Sequence, residues 1–143
     1  MTIYLQKSDS GAFRQTIRVH QDSHQHTLFA DVAAALGGDD SAPDPHDIFD
    51  ASLAACKAIT LLMYAKRKQL PLDWVDVEIN RDNSQEAQGL YQLNVVLKLV
   101  GSLSDGDRQQ LLAIADKCPI HKLMTAATVQ VNTRLVQSGS EGL

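Results

Sequence analysis

The chain alternates between two hydrophobic periods. Near its start, Ile3 to Leu5 is a short apolar run, and Phe13, Ile17 and Val19 fall on alternating positions, the period of a strand with one covered face. Gln21-Asp22-Ser23 reads as a turn, after which His26 to Val32 returns as a second strand with Leu28 and Ala30 on one face. Gly37-Gly38-Asp39-Asp40, followed by Pro43 and Pro45, predicts a loop. The period then changes. Ile48 to Lys68 is apolar almost all round, which predicts a long, buried, central helix. Asp44 suits its N-cap, Pro45 its first position and Asp47 a reciprocal capping partner. Lys66-Arg67-Lys68 complements its C-terminus, and Pro71 stops it.

Trp74, Val75, Val77 and Ile79 begin a further strand, Asn83 to Gly89 is a polar turn, and Leu90 to Val100 is a long strand. Ser104 to Lys117 predicts a second helix with Leu111, Leu112, Ile114 and Ala115 on its apolar face. Cys118-Pro119 interrupts it. A short helix from Pro119 to Met124 follows, then a strand in which Val129, Val131, Thr133 and Leu135 alternate. Strands grouped at both ends around segregated helices indicate an α+β fold rather than alternating α/β.

Composition narrows the function classes. The 143 residues, without internal repeat or low-complexity tract, fit one domain over 1–143. With 44% hydrophobic and 21% charged residues the chain is an ordinary globular one. A net charge of −4 argues against a general phosphate-binding surface, so no nucleic-acid partner is expected. Met1 to Phe13 has neither a basic region nor an apolar one of signal type, which predicts a cytoplasmic protein. The stretch Ile48 to Ala65 is interrupted by Asp50, Ser52, Lys57 and Thr60; it reads as a core helix, with no membrane partner. In a reducing compartment the two cysteines are either inert core or working thiols.

Cys56 and Cys118 stand 62 positions apart, so neither a local CxxC pair nor a four-ligand zinc site is available. Cys56 lies in the most apolar helix of the chain, where a lone cysteine is ordinarily core. Cys118 precedes Pro119, whose preference for the first helical position makes Cys118 an N-cap. Free amides and the dipole there favour thiolate, with His121 one turn on, so local physics nominates Cys118 as the activated thiol. His20, His24 and His26 share one parity, but the proposed turn separates His20 from the others, and no metal site is expected.

Several segments together resemble one family. They are Ala30-Asp31, Gly37-Gly38-Asp39, Pro45-His46-Asp47-Ile48, Ala51-Ser52-Leu53-Ala54-Ala55-Cys56, Met63-Tyr64-Ala65-Lys66-Arg67-Lys68 and Ile114-Ala115-Asp116-Lys117-Cys118-Pro119-Ile120-His121-Lys122. The chain resembles the OsmC family over about residues 13–136, and its stand-alone OsmC-like branch more than the organic hydroperoxide resistance branch.

That resemblance implies an intertwined homodimer with antiparallel sheets around two central helices. It implies a thiol peroxidase that reduces organic hydroperoxides, needs no cofactor and is recycled by a dithiol reductant of lipoyl or thioredoxin type. Cys56 is then the peroxidatic thiol and Cys118 the resolving one, the reverse of the order that local physics suggests. The resemblance further implies an arginine that favours the thiolate, for which Arg14 stands at the expected place and Arg18 is the nearby competitor. A carboxylate at the start of the cysteine helix orients that arginine. Peroxidase members commonly carry Glu directly after the proline; here His46 stands there, and Asp47 takes the role from one position on. The alternative is a non-catalytic or redox-sensing dimeric binding protein of the same fold.

Overall fold

The computed structural model describes residues 1–135. They form two units, one of Met1–Phe49 with the described residues from Gln130 on, the other of Asp50–Val129.

The first unit is built on a three-stranded antiparallel meander, β1 (Thr2–Lys7), β2 (Gln15–Gln21) and β3 (His24–Ala30). The β2–β3 turn is Asp22-Ser23, with Asp22 at φ +50°, a conformation that a short polar side chain tolerates. Register fixes the two faces. Leu5 pairs with Ile17 and Ile17 with Leu28, while Ile3 pairs with Val19, so one face is aliphatic. The opposite face carries Gln6, Thr16, Arg18 and Phe29. The loop after β3 holds a 3-10 turn at Ala34–Leu36. There Gly38 is required, because a Cβ would lie 2.0 Å from the Val32 carbonyl oxygen.

Helix α1 (Pro45–Lys68) begins as the sequence predicts. The Asp47 amide donates to Asp44 Oδ1 (2.8 Å), and the Asp44 amide donates to Asp47 Oδ2 (3.2 Å), a reciprocal capping pair.

The second unit packs α1 and α2 (Asp105–Ala115) on the hairpin β4 (Trp74–Asp82) and β5 (Gln92–Val100). Its core is Leu61, Ala65, Leu111 and Ala115, covered by Val75, Leu97, Leu99 and Leu103 among others. Exposure alternates along β4 and along β5 up to Leu99, as in a sheet with one covered face. Gly101 ends β5 at φ +146°, where a Cβ would meet the Pro71 carbonyl oxygen at 2.0 Å. Ser104 and Asp107 make a full capping box for α2, and α3 (Pro119–Ala126) follows.

Two expectations change. Rather than being covered all round, α1 is buried along a single stripe, Asp50, Leu53, Lys57, Leu61 and Ala65, one residue per turn. Ile59 and Met63 are 56% and 68% exposed. By length and composition alone α1 is apolar enough to cross a bilayer, yet the two charges in its stripe are satisfied by its own chain. The second change is at Val129–Leu135, where no strand forms among the described residues. An alternating pattern alone does not make a strand; a ladder partner must supply the hydrogen bonds. Without one, Val131 stays 81% exposed.

Candidate functional site

The stripe that buries α1 also sets the position of Cys56. It lies one residue before the stripe position Lys57 and is partly exposed rather than core. Cys118 lies on the short link between α2 and α3 and is fully buried. It is the N-cap of α3, with Pro119 in the first turn and the His121 amide donating to Cys118 Sγ at 3.3 Å. The two thiols lie near enough for Cys56 to act on the ionisation of Cys118. The structure thus brings together two cysteines separated by most of the second unit.

The N-cap geometry is as predicted, but its electrostatic consequence is reversed. Burial, above all, pushes the Cys118 thiol above its ordinary pKa, and the Cys56 thiol adds to the rise. The His121 amide and the Lys57 charge act in the opposite direction and are outweighed. One N–H and the dipole of a two-turn helix do not offset complete removal from water. Cys118 is therefore the protonated, protected thiol of the pair, and Cys56 is the one that solvent reaches.

Sequence reasoning treated Lys57 only as an interruption of an apolar run. Its side chain is 3% exposed. The ammonium donates to the Ala115 carbonyl (2.9 Å), to Asp116 Oδ1 (3.1 Å) and to His121 Nδ1 (3.3 Å). A second buried cluster was also missed. Asp50 accepts from Arg81 Nε and from the Tyr91 hydroxyl at 2.9 Å. Its signal was present, since Arg81 has the parity of the inward-facing Val75, Val77 and Ile79.

Arg14, Arg18 and Asp47 belong to the other unit. Arg14 and Arg18 line the same cleft of about 500 Å³ on the polar face of the β1–β3 sheet, together with Phe29 and Thr16. The Arg14 guanidinium lies 4.4 Å from the Phe29 ring centroid and donates to Ser41 at both the carbonyl (2.9 Å) and the hydroxyl (2.8 Å). Ser41 donates in turn to the buried Asp31 from its hydroxyl and its amide. That hydroxyl bond is the main reason the Asp31 carboxyl is held below its usual range. Arg18 donates to Gln6 Oε1 at 2.7 Å. Of the two, Arg14 is the more firmly fixed. Asp47 is engaged in the α1 cap.

Residues 38–134 match the model of a known family, the OsmC-like proteins. The chain belongs to the OsmC-like family. Solved structures agree on the fold of this OsmC-like chain. A protein from Psychrobacter arcticus 273-4 assigned to osmotic stress induction and detoxification is 18% identical, with 85% of this chain and 86% of that one covered at a TM-score of 0.69. An OsmC-like protein from Mycoplasma pneumoniae is 20% identical over 95% and 96% of the two chains, with a TM-score of 0.60. The organic hydroperoxide resistance protein OhrB of Bacillus subtilis is 23% identical over 88% and 92%, with a TM-score of 0.50. Among curated proteins, none matches the sequence significantly. The α+β architecture with antiparallel sheets is that of the family.

Proposed function

We propose that this chain is a thiol peroxidase that reduces organic hydroperoxides. The observation that carries the reading is the thiol pair, one partly exposed and one fully buried, with Cys56 near enough to push the Cys118 thiol up. The Cys56 thiolate attacks one peroxide oxygen, the O–O bond breaks, and the alkoxide leaves and takes a proton to become the alcohol. Cys56 is left as sulfenic acid. Cys118 then attacks the Cys56 sulfur, hydroxide departs and takes up the proton that Cys118 gave up, and a disulfide and water result. A dithiol reductant returns both thiols. Arg14 is the cation that favours the Cys56 thiolate, a role the family resemblance implies and to which its anchorage by Ser41 and Phe29 is suited. Asp47 contributes to the site from the start of α1.

The working form is a homodimer. Exposed apolar residues on the aliphatic sheet face (Ile3, Leu5, Leu28), along α1 (Ile59, Met63) and in the unpaired Val129–Leu135 segment support this reading, since such surface marks an interaction face. The test of function is direct. Reduced protein treated with cumene hydroperoxide is expected to lose two thiols per chain. No loss would instead favour the non-catalytic binding protein.

A further inference from the structure

Lys57 spends three hydrogen bonds on the segment that carries Cys118. Its contacts bracket that cysteine, with Ala115 and Asp116 before it and His121 after it. His121 in turn holds Cys118 Sγ through its backbone amide. At the other end, Lys57 is bonded in sequence to Cys56. A lysine that only capped the C-terminus of α2 would need the Ala115 carbonyl and nothing more. Here the ammonium is buried and ties one turn of α1 to the α2–α3 link, so that the residue after one thiol fixes the residues around the other.

We propose that Lys57 is the positioning residue for the resolving thiol: it holds Cys118 against Cys56 and supplies the positive charge toward which the Cys118 thiolate forms when the disulfide closes. This rests on the thiol-peroxidase reading above for its reaction but not for its geometry. Lys57 then serves the second step only, a duty distinct from the one proposed for Arg14 in the first. The charged and titratable groups at the pair are Cys56 and Lys57 of α1, Asp116 of the link and His121 of α3. Of these Lys57 is the basic group that is buried with the thiol. In the closing step the Cys118 thiolate bonds to the Cys56 sulfur as its S–O bond breaks. The departing hydroxide takes up one proton, so that a thiol and a sulfenic acid give a disulfide and water.

Two measurements test this. In a Cys56→Ser background, iodoacetamide alkylation of Cys118 is followed against pH with Lys57, Lys57→Met or Lys57→Arg. Loss of the Lys57 charge, which favours the Cys118 thiolate, is expected to move the alkylation midpoint up by about one pH unit, with Arg restoring most of it. In the two-cysteine protein, single-turnover reaction with cumene hydroperoxide is quenched with dimedone. Lys57→Met is expected to slow disulfide formation about tenfold, the same unit expressed as thiolate fraction, so that dimedone-trapped sulfenic acid accumulates. Lys57→Gln, which keeps a donor without the charge, replaces Met if the Met variant does not fold. Superimposable alkylation profiles for Lys57 and its neutral variants would overturn the proposal. If wild-type protein loses no thiols to peroxide, the peroxidase reading fails, and the alkylation arm still decides the part played by Lys57.

Discussion

Closing the Cys56–Cys118 bond is the perturbation that tests the site most directly. A cross-link over 62 positions removes loop-closure entropy from the unfolded chain equivalent to about 4 kcal/mol at room temperature. Against this stand two native-state costs. The sulfurs must close to roughly 2 Å. Cys118 Sγ also gives up its bond from the His121 amide, which is worth about 1 kcal/mol. The net expectation is that oxidation stabilises the protein by about 2–4 kcal/mol.

The assay is urea unfolding of the reduced and the diamide-oxidised protein, followed by tryptophan fluorescence from Trp74, with Cys118→Ser as the uncross-linked control. The midpoint should rise, and the denaturant slope should fall because a cross-linked unfolded chain exposes less surface. Oxidised protein no more stable than reduced, or cross-linked material running as two chains on a non-reducing gel, would refute the intrachain geometry.

Four further outcomes are expected. Leu61→Ala, at a side chain with no exposed surface, should cost about 3–5 kcal/mol in chemical denaturation; a cost under about 1 kcal/mol would mean this core collapses freely. Tyr91 has its hydroxyl pushed up to about 12 by burial and by its bond to Asp50. Its contribution to stability is therefore present below the unfolded value near 10 and lost as pH rises through 12; tyrosinate absorbance should show one tyrosine titrating late, and Tyr91→Phe should remove that phase. Gly101→Ala, with φ +146° and the Pro71 carbonyl in the way, should lower stability by roughly 2 kcal/mol, and an unchanged urea midpoint would contradict the close approach. Arg14→Met should slow Cys56 oxidation by cumene hydroperoxide near neutral pH by about tenfold, with a smaller effect from Arg18→Met; the reverse order would exchange the two assignments.

Local chemistry sets the element boundaries. The Asp44–Asp47 cap, Pro71, the Asp22 turn, the Ser104 cap and Cys118-Pro119 each mark an element end, because a cap or a proline acts through its own few neighbours. Periodicity was less sufficient. In β4 and β5 the predicted strands form, since the partner strand lies within the same hairpin. At Val129–Leu135 it did not, since a ladder is needed and the described chain provides none. The buried charges were the larger omission. Asp50, Lys57, Leu61 and Ala65 fall on one helical stripe, and Arg81 falls on the covered face of β4. A periodic pattern shows that these residues face inward, but the identity of a partner such as Tyr91 or Asp116 is tertiary information.

The reversal at Cys118 shows which effect sets the order of the two thiols. A helix N-terminus lowers a thiol pKa when the sulfur keeps some access to water; complete burial removes the solvation on which the thiolate depends, and a single amide and one ammonium make up only part of the loss. A thiol that stays protonated in the resting state is a poor first nucleophile and is protected from irreversible oxidation. It becomes useful once its neighbour carries an electrophilic sulfur held beside it. The partly exposed Cys56 has the complementary property, because solvent can reach it. Family resemblance assigned Cys56 the first step and Cys118 the second; desolvation is a physical ground for the same order, arising from where the α1 stripe and the α2–α3 link place the two sulfurs.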